Sequence, residues 1–381
     1  MSNYEGAKHL KIGFIINPIA GMGGRVGLKG TNGVAKQAVV LGAKPIASDR
    51  ANDFLRKLKS LELEESIELL TCPSVMGENA IKATSFKART LPMRLKPETS
   101  AEDTKTAVRL MAKANVGLIV FVGGDGTAKD IFDALQKLGD MLVLGVPSGV
   151  KMYSGIFAVD PSEAAEVVKA FVEGTAQVMD FEIMDADESA IRRDRFSVRL
   201  YGFLKGPFVP LRLQGVKQVS PETLDEHENQ IAVARFIVED MDEKGTYILG
   251  PGTTVKCIAD LLKVEKTVLG VDIYQNGTII RDVSERKIIE TIKNFKNVWI
   301  ILSPIGRQGI LFGRGNQQIT PEIIKQVGKE RIIIAATRSK IQGIEGGFLR
   351  VDTGDVETDK LLRGYIKVAT DYREWRLMQV K

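Results

Sequence analysis

The stretch that most constrains this chain is Val116–Asp130, in which an apolar strand runs through a glycine turn into a helix. Leu118–Val122 is a continuous apolar run, typical of a strand buried on both faces of a sheet. Gly-Gly-Asp-Gly-Thr follows at residues 123–127, and a helical pattern comes after it. Free backbone amides and the positive end of a helix dipole then face one spot, which suits phosphate. The stretch therefore predicts a phosphate-binding turn.

Asp125 lies in the middle of this turn, where a carboxylate repels phosphate unless a cation or a proton-transfer role explains it. The structural alternative is a tight turn in which Asp125 or Thr127 caps the following helix. We interpret the turn as functional and Asp125 as the candidate catalytic residue.

Composition excludes several other kinds of site. The 381 residues suggest two domains, perhaps three, and a net charge of +5 suits polyanionic small molecules without requiring nucleic acid. Two cysteines and two histidines make a zinc site or a Ser-His-Asp triad improbable. No apolar run approaches ~20 residues and no signal-peptide pattern opens the chain. We therefore expect a cytoplasmic protein that binds neither membranes nor nucleic acid.

The order of predicted elements divides the chain into two domains and a tail. Strands and helices alternate up to residue 174, which predicts an α/β domain over 1–174 with a parallel sheet. Short alternating runs, among them 231–238, then predict a β-rich domain over 175–350. The segment 351–381 is expected to return to the first domain, because a late strand at 365–369 needs a sheet partner.

Three further glycine-containing turns are candidate parts of a site. The loop 21–33 has six glycines, and its alternatives are a flexible surface loop or a second phosphate-contacting turn, with Arg25 and Lys29 as charge partners. Pro147–Gly155 follows a predicted strand, where ligands bind in parallel sheets, and carries Lys151, which could equally be a solvated lysine. Gly250–Leu262 enters a helix that Thr253 or Thr254 is expected to cap.

These turns, in this order, resemble the pattern of NAD kinases, and most closely the branch called the ATP-NAD/AcoX kinase family. Gly-Gly-Asp-Gly-Thr is the most specific match, and the resemblance is strongest over residues 11–175. The other motifs that carry it are Asn17-Pro18 with Gly21, Gly145–Gly149, Asp187-Glu188 and Gly250–Thr254.

The resemblance implies an ATP-dependent kinase of the adenosine ribose 2′-hydroxyl of NAD, with Mg²⁺ accompanying ATP. Asp125 would be the general base or would hold the hydroxyl through the metal. The resemblance also implies a homodimer or homotetramer. The residues that would contact ATP are Asn17, Gly21, Gly123, Gly124, Gly126 and Thr127. Those that would contact the acceptor are Ser148, Lys151, Asp187, Glu188, Gly252, Thr253 and Thr254.

Two departures from the family pattern bear on the acceptor. Asp187 and Ser148 each stand where the family usually has Asn, so amide donors are lost. The alternatives are therefore the same chemistry on another nucleotide or a small alcohol, or a nucleotide-binding regulator without turnover. Asp125 argues against the regulator, because a pure phosphate binder gains nothing from a carboxylate in its turn.

Overall fold

The computed structural model describes residues 9–28, 34–136, 138–149, 152–186, 198–213 and 224–381. Contacts between Cα atoms divide these residues into two compact units. The first holds residues 9–22, 44–186 and 198–213, apart from the gaps just given, and the second holds 23–28, 34–43 and 224–381. No helix in the described ranges is both long and apolar enough to cross a membrane.

The first unit is built on a parallel sheet whose described strands follow the order β3-β2-β1-β4-β5. Central strand β4 is buried along its whole length because it takes the apolar run Leu118–Val122. The strands are β1 Leu10–Ile16, β2 Ile67–Thr71, β3 Ala88–Thr90, β4 Leu118–Gly123 and β5 Val143–Pro147.

Helices flank this sheet and a hairpin completes the unit. The helices of the first unit are α2 Ala47–Ser60, α3 Glu78–Ile81, α4 Ala101–Lys113, α5 Asp125–Leu135 and α6 Pro161–Val172, with a 3₁₀ turn at Ser74–Met76. Strands β6 (Gln177–Ala186) and β7 (Val198–Phe208) pair antiparallel. Helix α1 (Ala35–Val40) precedes these helices in the chain and belongs to the second unit.

The second unit contains a mixed sheet in the order β10-β9-β8-β11-β13-β15-β16. Its central strands β8, β11, β13 and β15 run parallel, and both ends of the sheet are antiparallel. The strands are β8 Thr246–Leu249, β9 Asp272–Gln275, β10 Thr278–Ile280, β11 Val298–Leu302, β12 Ile310–Phe312, β13 Ile332–Ala335, β14 Arg350–Val351, β15 Gly364–Asp371 and β16 Glu374–Val380.

Helices and 3₁₀ turns surround the second sheet. The helices are α7 Leu224–Glu239, α8 Thr253–Leu261, α9 Glu285–Thr291, α10 Pro321–Val327, α11 Arg338–Gln342 and α12 Val356–Leu362. The 3₁₀ turns are Phe295–Asn297, Lys329–Arg331 and Glu345–Gly347. The predicted fold class, an α/β domain with a parallel sheet followed by a strand-rich region, is confirmed.

The structure corrects two sequence predictions in the second half of the chain. Residues 231–238 are part of helix α7 and not a strand, because Val233, Phe236 and Ile237 have helical spacing and bury one face. The tail does not return to the first unit. Its strand β15 finds partners in β13 and β16, which both lie in the second unit.

The compact units differ from the division predicted at residue 174. The β6–β7 hairpin follows that residue, yet its contacts group it with the first unit. The reason is local packing, since Phe181, Ile183 and Leu204 are buried in the same core as β4 and β5. The change in sequence texture after Gly174 therefore marks the start of the antiparallel β6–β7 hairpin and not the end of the first unit.

Candidate functional site

Three chain turns of the first unit meet at the carboxyl ends of β1, β4 and β5. Strand β1 pairs with β2 on one side and β4 on the other, so the sheet order reverses between β1 and β4. Ligands of open parallel sheets bind in the crevice at such a switch point. The glycine turn 123–127 leaves β4 there, which agrees with the sequence prediction.

A side-chain hydrogen bond joins two of the turns. Asn17 Nδ2 donates to Thr127 Oγ1 over 2.9 Å, and the Asn17 amide donates to the Val122 carbonyl. Thr127 is buried, and its methyl and hydroxyl pack on Gly123, where an added Cβ would lie 2.6 Å from Oγ1. Asn17 and Thr127 thus hold the β1 turn against the β4 turn, and Gly123 leaves room for the contact.

The turn after β5 approaches the other two turns so closely that they need glycine at the points of contact. Gly21 has φ +79°, and a Cβ there would lie 1.8 Å from the Ser148 carbonyl oxygen. Gly124 faces Gly149 in a similar way, with a Cβ position 3.2 Å from the Gly149 Cα. Neither turn can carry a side chain without moving the other. The glycines predicted to face ATP are therefore also needed for turn packing.

Ser148 lies at the centre of this packing with an unused hydroxyl. Its amide donates to the Gly123 carbonyl, and the residue is 1% exposed. Among the described residues its buried Oγ has no hydrogen-bond partner. A buried hydroxyl without a partner is costly, which is consistent with a ligand or water at this position.

Asp125 is anchored by backbone amides and does not cap its helix. Its Oδ2 accepts from the Tyr153 amide at 2.7 Å and its Oδ1 from the Ser154 amide at 3.0 Å. The N-cap of α5 is Gly124, which makes no side-chain cap bond. The capping alternative for Asp125 and Thr127 is therefore wrong. The carboxylate instead fixes the chain after β5 against the glycine turn.

Charged neighbours of Asp125 on helix α5 are paired. Lys129 Nζ lies 2.5 Å from Asp185 Oδ1 and 4.7 Å from the centre of the Tyr201 ring. Burial alone would raise the pKa of Asp185, but hydrogen bonds from Lys129 and Arg199 outweigh it and lower that pKa. The positive charge nearest Asp125 along the helix is thus held by the β6–β7 hairpin.

Tyr153 and Asp130 have shifted pKa values for different reasons. Burial, with a smaller effect of the Asp125 charge, raises the pKa of the Tyr153 phenol. Burial raises the pKa of Asp130 to about 6, although the Lys105 ammonium 3.9 Å away opposes the shift. Tyr153 therefore stays neutral near pH 7, and Asp130 titrates close to the physiological range.

The turn at Gly250–Thr254 belongs to the second unit and enters helix α8 after β8. Gly252 is the N-cap, with φ +122° and no side-chain cap bond, so the prediction that Thr253 or Thr254 caps the helix is wrong. Thr254 is buried, whereas Thr253 is exposed and its Oγ1 accepts from Gln230 Nε2 at 3.2 Å. Consequently, no side chain at the N-cap of α8 accepts a hydrogen bond from the backbone amides of its first turn.

Lys29, Lys151, Asp187 and Glu188 lie outside the described residues. Within the loop 21–33, Gly21 belongs to the first unit and residues 23–28 to the second. There the Arg25 carbonyl accepts from the Glu285 amide, and Gly24 packs on Gln317.

Sequence reasoning missed the two amides that hold Asp125. They belong to Tyr153 and Ser154, whose side chains gave no signal of this role. Almost every residue has a backbone amide, so the sequence does not show which amides bind a carboxylate. Only Gly149 and Gly155, at the two ends of this segment, indicated a tight turn.

The geometry defines an α/β site with a glycine turn at a sheet switch point and one carboxylate fixed inside it. The chain belongs to the ATP-NAD kinase family. Residues 12–176 match the ATP-NAD kinase N-terminal domain, and residues 242–380 match the ATP-NAD kinase C-terminal domain. A comparison with curated proteins found no match for the chain.

Asp125 is the carboxylate of the glycine turn that could be a ligand of Mg²⁺. In the described part of the chain, no three His, Cys, Asp or Glu side chains are grouped as metal ligands. Mg²⁺ in phosphoryl-transfer sites commonly takes one or two carboxylates, with substrate phosphates and water supplying the other ligands. Asp125 is a single carboxylate fixed inside the glycine turn, so it could supply one carboxylate ligand of this kind.

Proposed function

We propose that this chain is an ATP-dependent kinase that phosphorylates the 2′-hydroxyl of the adenosine ribose of NAD to give NADP. The observation that carries the proposal is the position of Asp125, whose carboxylate is fixed by the Tyr153 and Ser154 amides inside the glycine turn. Family membership supports the reaction class. We propose a cytoplasmic location as well.

In this proposal the chain's own residues position the reactants. The amides and glycines at 123–127 bind ATP phosphates, and the Asn17–Thr127 bond keeps the turn in shape. Asp125 accepts the proton of the attacking hydroxyl, because its oxygens are oriented before the substrate arrives. In the alternative role of Asp125, its carboxylate would be the protein ligand of a bound Mg²⁺, which would neutralise phosphate charge.

Ser148 in the first unit has the unused buried hydroxyl described above. The resemblance to NAD kinases implies further acceptor contacts, which stay predictions: Lys151, Asp187, Glu188, Gly252, Thr253 and Thr254. The second candidate function is the same phosphoryl transfer to another nucleotide or a small alcohol. It is favoured by Ser148, which replaces the amide of the family pattern with a hydroxyl.

A homodimer or homotetramer is also part of the proposal. Tyr365, Trp375 and Leu377 leave 63%, 43% and 65% of their surface exposed on the second unit. They line one cavity of about 530 Å³ with Trp299 and Ile333. Exposed apolar surface of this kind is typical of association sites.

The proposal is tested by incubating the protein with ATP, Mg²⁺ and a panel of acceptors while following ADP release. The panel holds NAD, NADH, adenosine nucleotides and small alcohols, and mass spectrometry identifies the product. Asp125→Asn is the inactive variant and Asp140→Asn, an exposed carboxylate of the same unit, is its control. NADP formation by the wild type and Asp140→Asn alone supports the proposal. ADP release with other acceptors but not NAD favours the second candidate, and no release with any acceptor contradicts both.

A further inference from the structure

Three adjacent parallel strands of the second sheet end at one edge, and each is followed by a polar turn. Gly252 follows β8, Ser303 directly follows β11, and Thr337 follows β13 as the N-cap of α11. Gly252 and Ser303 are neighbours, since a Cβ at Gly252 would lie 3.6 Å from the Ser303 Cβ. This edge has the same relation to its strands as the ligand-binding edge of the first sheet.

Lys340 supplies a positive charge to this edge. Its Nζ donates to Ser303 Oγ over 3.0 Å, and Ser303 is 2% exposed. No carboxylate of the described residues lies within 4.0 Å of this nitrogen. Lys340 is partly buried, and an ammonium in such a position without a paired carboxylate favours the binding of an anion.

The electrostatics of Lys340 agree with this arrangement. Burial lowers the pKa of its ammonium to about 8, and the more distant Glu226 carboxylate opposes the shift. Glu226 is occupied by the Thr337 hydroxyl, which donates to Oε1 over 2.7 Å. At pH 7 most of the lysine is still charged, at a cost that a bound anion would offset.

Several further donors converge beside the ammonium. Helix α8 has nine residues and begins after Gly252 without a side-chain cap, so its first-turn amides and dipole favour an anion. Lys340 has three N–H donors and uses one on Ser303, whose own O–H can donate in turn. Such a combination of amides, ammonium and hydroxyl matches the several oxygens of a phosphate group.

We propose that Lys340, Ser303 and the Gly252 turn bind a phosphate group of a nucleotide in the second unit. The choice of a nucleotide rests on the proposed function, whereas the choice of phosphate rests on the donors. Lys340 is a binding residue in this proposal, and its role is separate from that of Asp125.

Residue-specific labelling tests the site in the unmodified protein. An amine-acylating reagent is applied at pH 8 with and without pyrophosphate or ADP, and acylation of each lysine is read by mass spectrometry. We expect either ligand to protect Lys340 at least fivefold while exposed Lys360 is labelled equally with and without ligand. Equal labelling of Lys340 in the presence and absence of saturating ligand would overturn the proposal.

Variants test which groups carry the affinity. Lys340→Met should weaken pyrophosphate binding at least tenfold, Ser303→Ala should weaken it less, and Lys340→Arg should restore part of the loss. Lys360→Met is the matched control and should bind as the wild type does. Lys340→Met should also melt at a higher temperature near pH 7, because a partly buried charge without a paired carboxylate is removed. A structural lysine would give the opposite result, a lower melting temperature with unchanged affinity, and that would refute the proposal.

The outcomes separate this inference from the proposed kinase activity. If Lys340 is protected but no acceptor releases ADP, the phosphate site stands and the kinase proposal fails. If NADP forms and Lys340→Met leaves both pyrophosphate affinity and the KM values unchanged, the kinase proposal stands and this inference fails.

Discussion

Asn17 Nδ2 lies 2.9 Å from Thr127 Oγ1, and this bond ties the end of the first strand to the helix that starts after the fourth. The two residues are 110 positions apart in the chain. Their contact is possible because β1 and β4 are neighbours in register, with Ile16 beside Val122. The proposed ATP-binding turn is therefore held in shape by a group from another strand.

Replacing Thr127 with Val should destabilise the protein by about 1 kcal/mol. Valine keeps the shape but leaves the partly buried Asn17 amide without its acceptor. Urea unfolding followed by circular dichroism measures the change, with Thr127→Ser as the control that keeps the hydroxyl. A Thr127→Val protein that unfolds at the wild-type midpoint would show that the bond contributes nothing to stability.

Much of the first unit could be predicted from the sequence because its signals are local. The apolar run 118–122 and the glycines after it fixed a buried strand and a turn, and both are present. Parallel order followed from the alternation of strands and helices. The side-chain partners of the site did not follow, since the Tyr153 and Ser154 amides reach Asp125 only through tertiary structure.

The second half of the chain was harder to predict for a physical reason. Residues 231–238 contain β-branched and aromatic groups, which favour a strand locally, yet they form part of a helix that packs on the sheet. Lys340 gave no signal in the sequence, because its site depends on Ser303, which follows strand β11 and is 37 residues away in the chain. Tertiary contacts decided both cases.

Asp130→Asn should stabilise the protein near neutral pH. The ordinary pKa of the carboxyl is 3.8 and burial raises it to about 6 in the folded state. Between about pH 4 and pH 6 the folded state keeps a proton that the unfolded chain loses, so the free energy of unfolding falls as pH rises. Removing the charge should add about 1 kcal/mol to the free energy of unfolding at pH 7.5. This is less than the whole pKa shift would give, because 24% of the Asp130 side chain is exposed.

Unfolding curves at pH 4 and pH 7.5 measure this effect, with wild type and variant converging at the lower pH. Asp133→Asn is the control, and its effect on the free energy of unfolding should have the opposite sign. Hydrogen bonds from Lys105 and Tyr201 lower the pKa of Asp133 against the effect of burial, so its removal should destabilise the protein at pH 7.5. An Asp130→Asn gain that is equal at both pH values would contradict the titration argument.

Leu377→Glu should reduce the assembled mass if the protein is a homodimer or homotetramer. Leu377 is 65% exposed beside Tyr365 and Trp375, so a charge there should weaken association without disturbing the core. Light scattering across a dilution series measures the mass, and Leu361→Glu, on an exposed face of α12, is the control. A wild-type monomer at every concentration, or an unchanged Leu377→Glu assembly, would argue against this surface.

Asp125→Asn separates the catalytic role of Asp125 from its structural one. The amide can accept one of the two backbone hydrogen bonds and must present its own donor to the other amide, so we expect a loss of about 1–3 kcal/mol in stability. Asn cannot take a proton near pH 7, so the rate of phosphoryl transfer should fall by roughly 10²–10⁴-fold. Steady-state assays with ATP and NAD are run well below the melting temperature of the variant, beside Asp140→Asn, so that unfolding does not account for lost turnover. A folded Asp125→Asn protein with the wild-type rate would leave the carboxylate only its structural role, which is to hold the Tyr153–Ser154 backbone against the glycine turn.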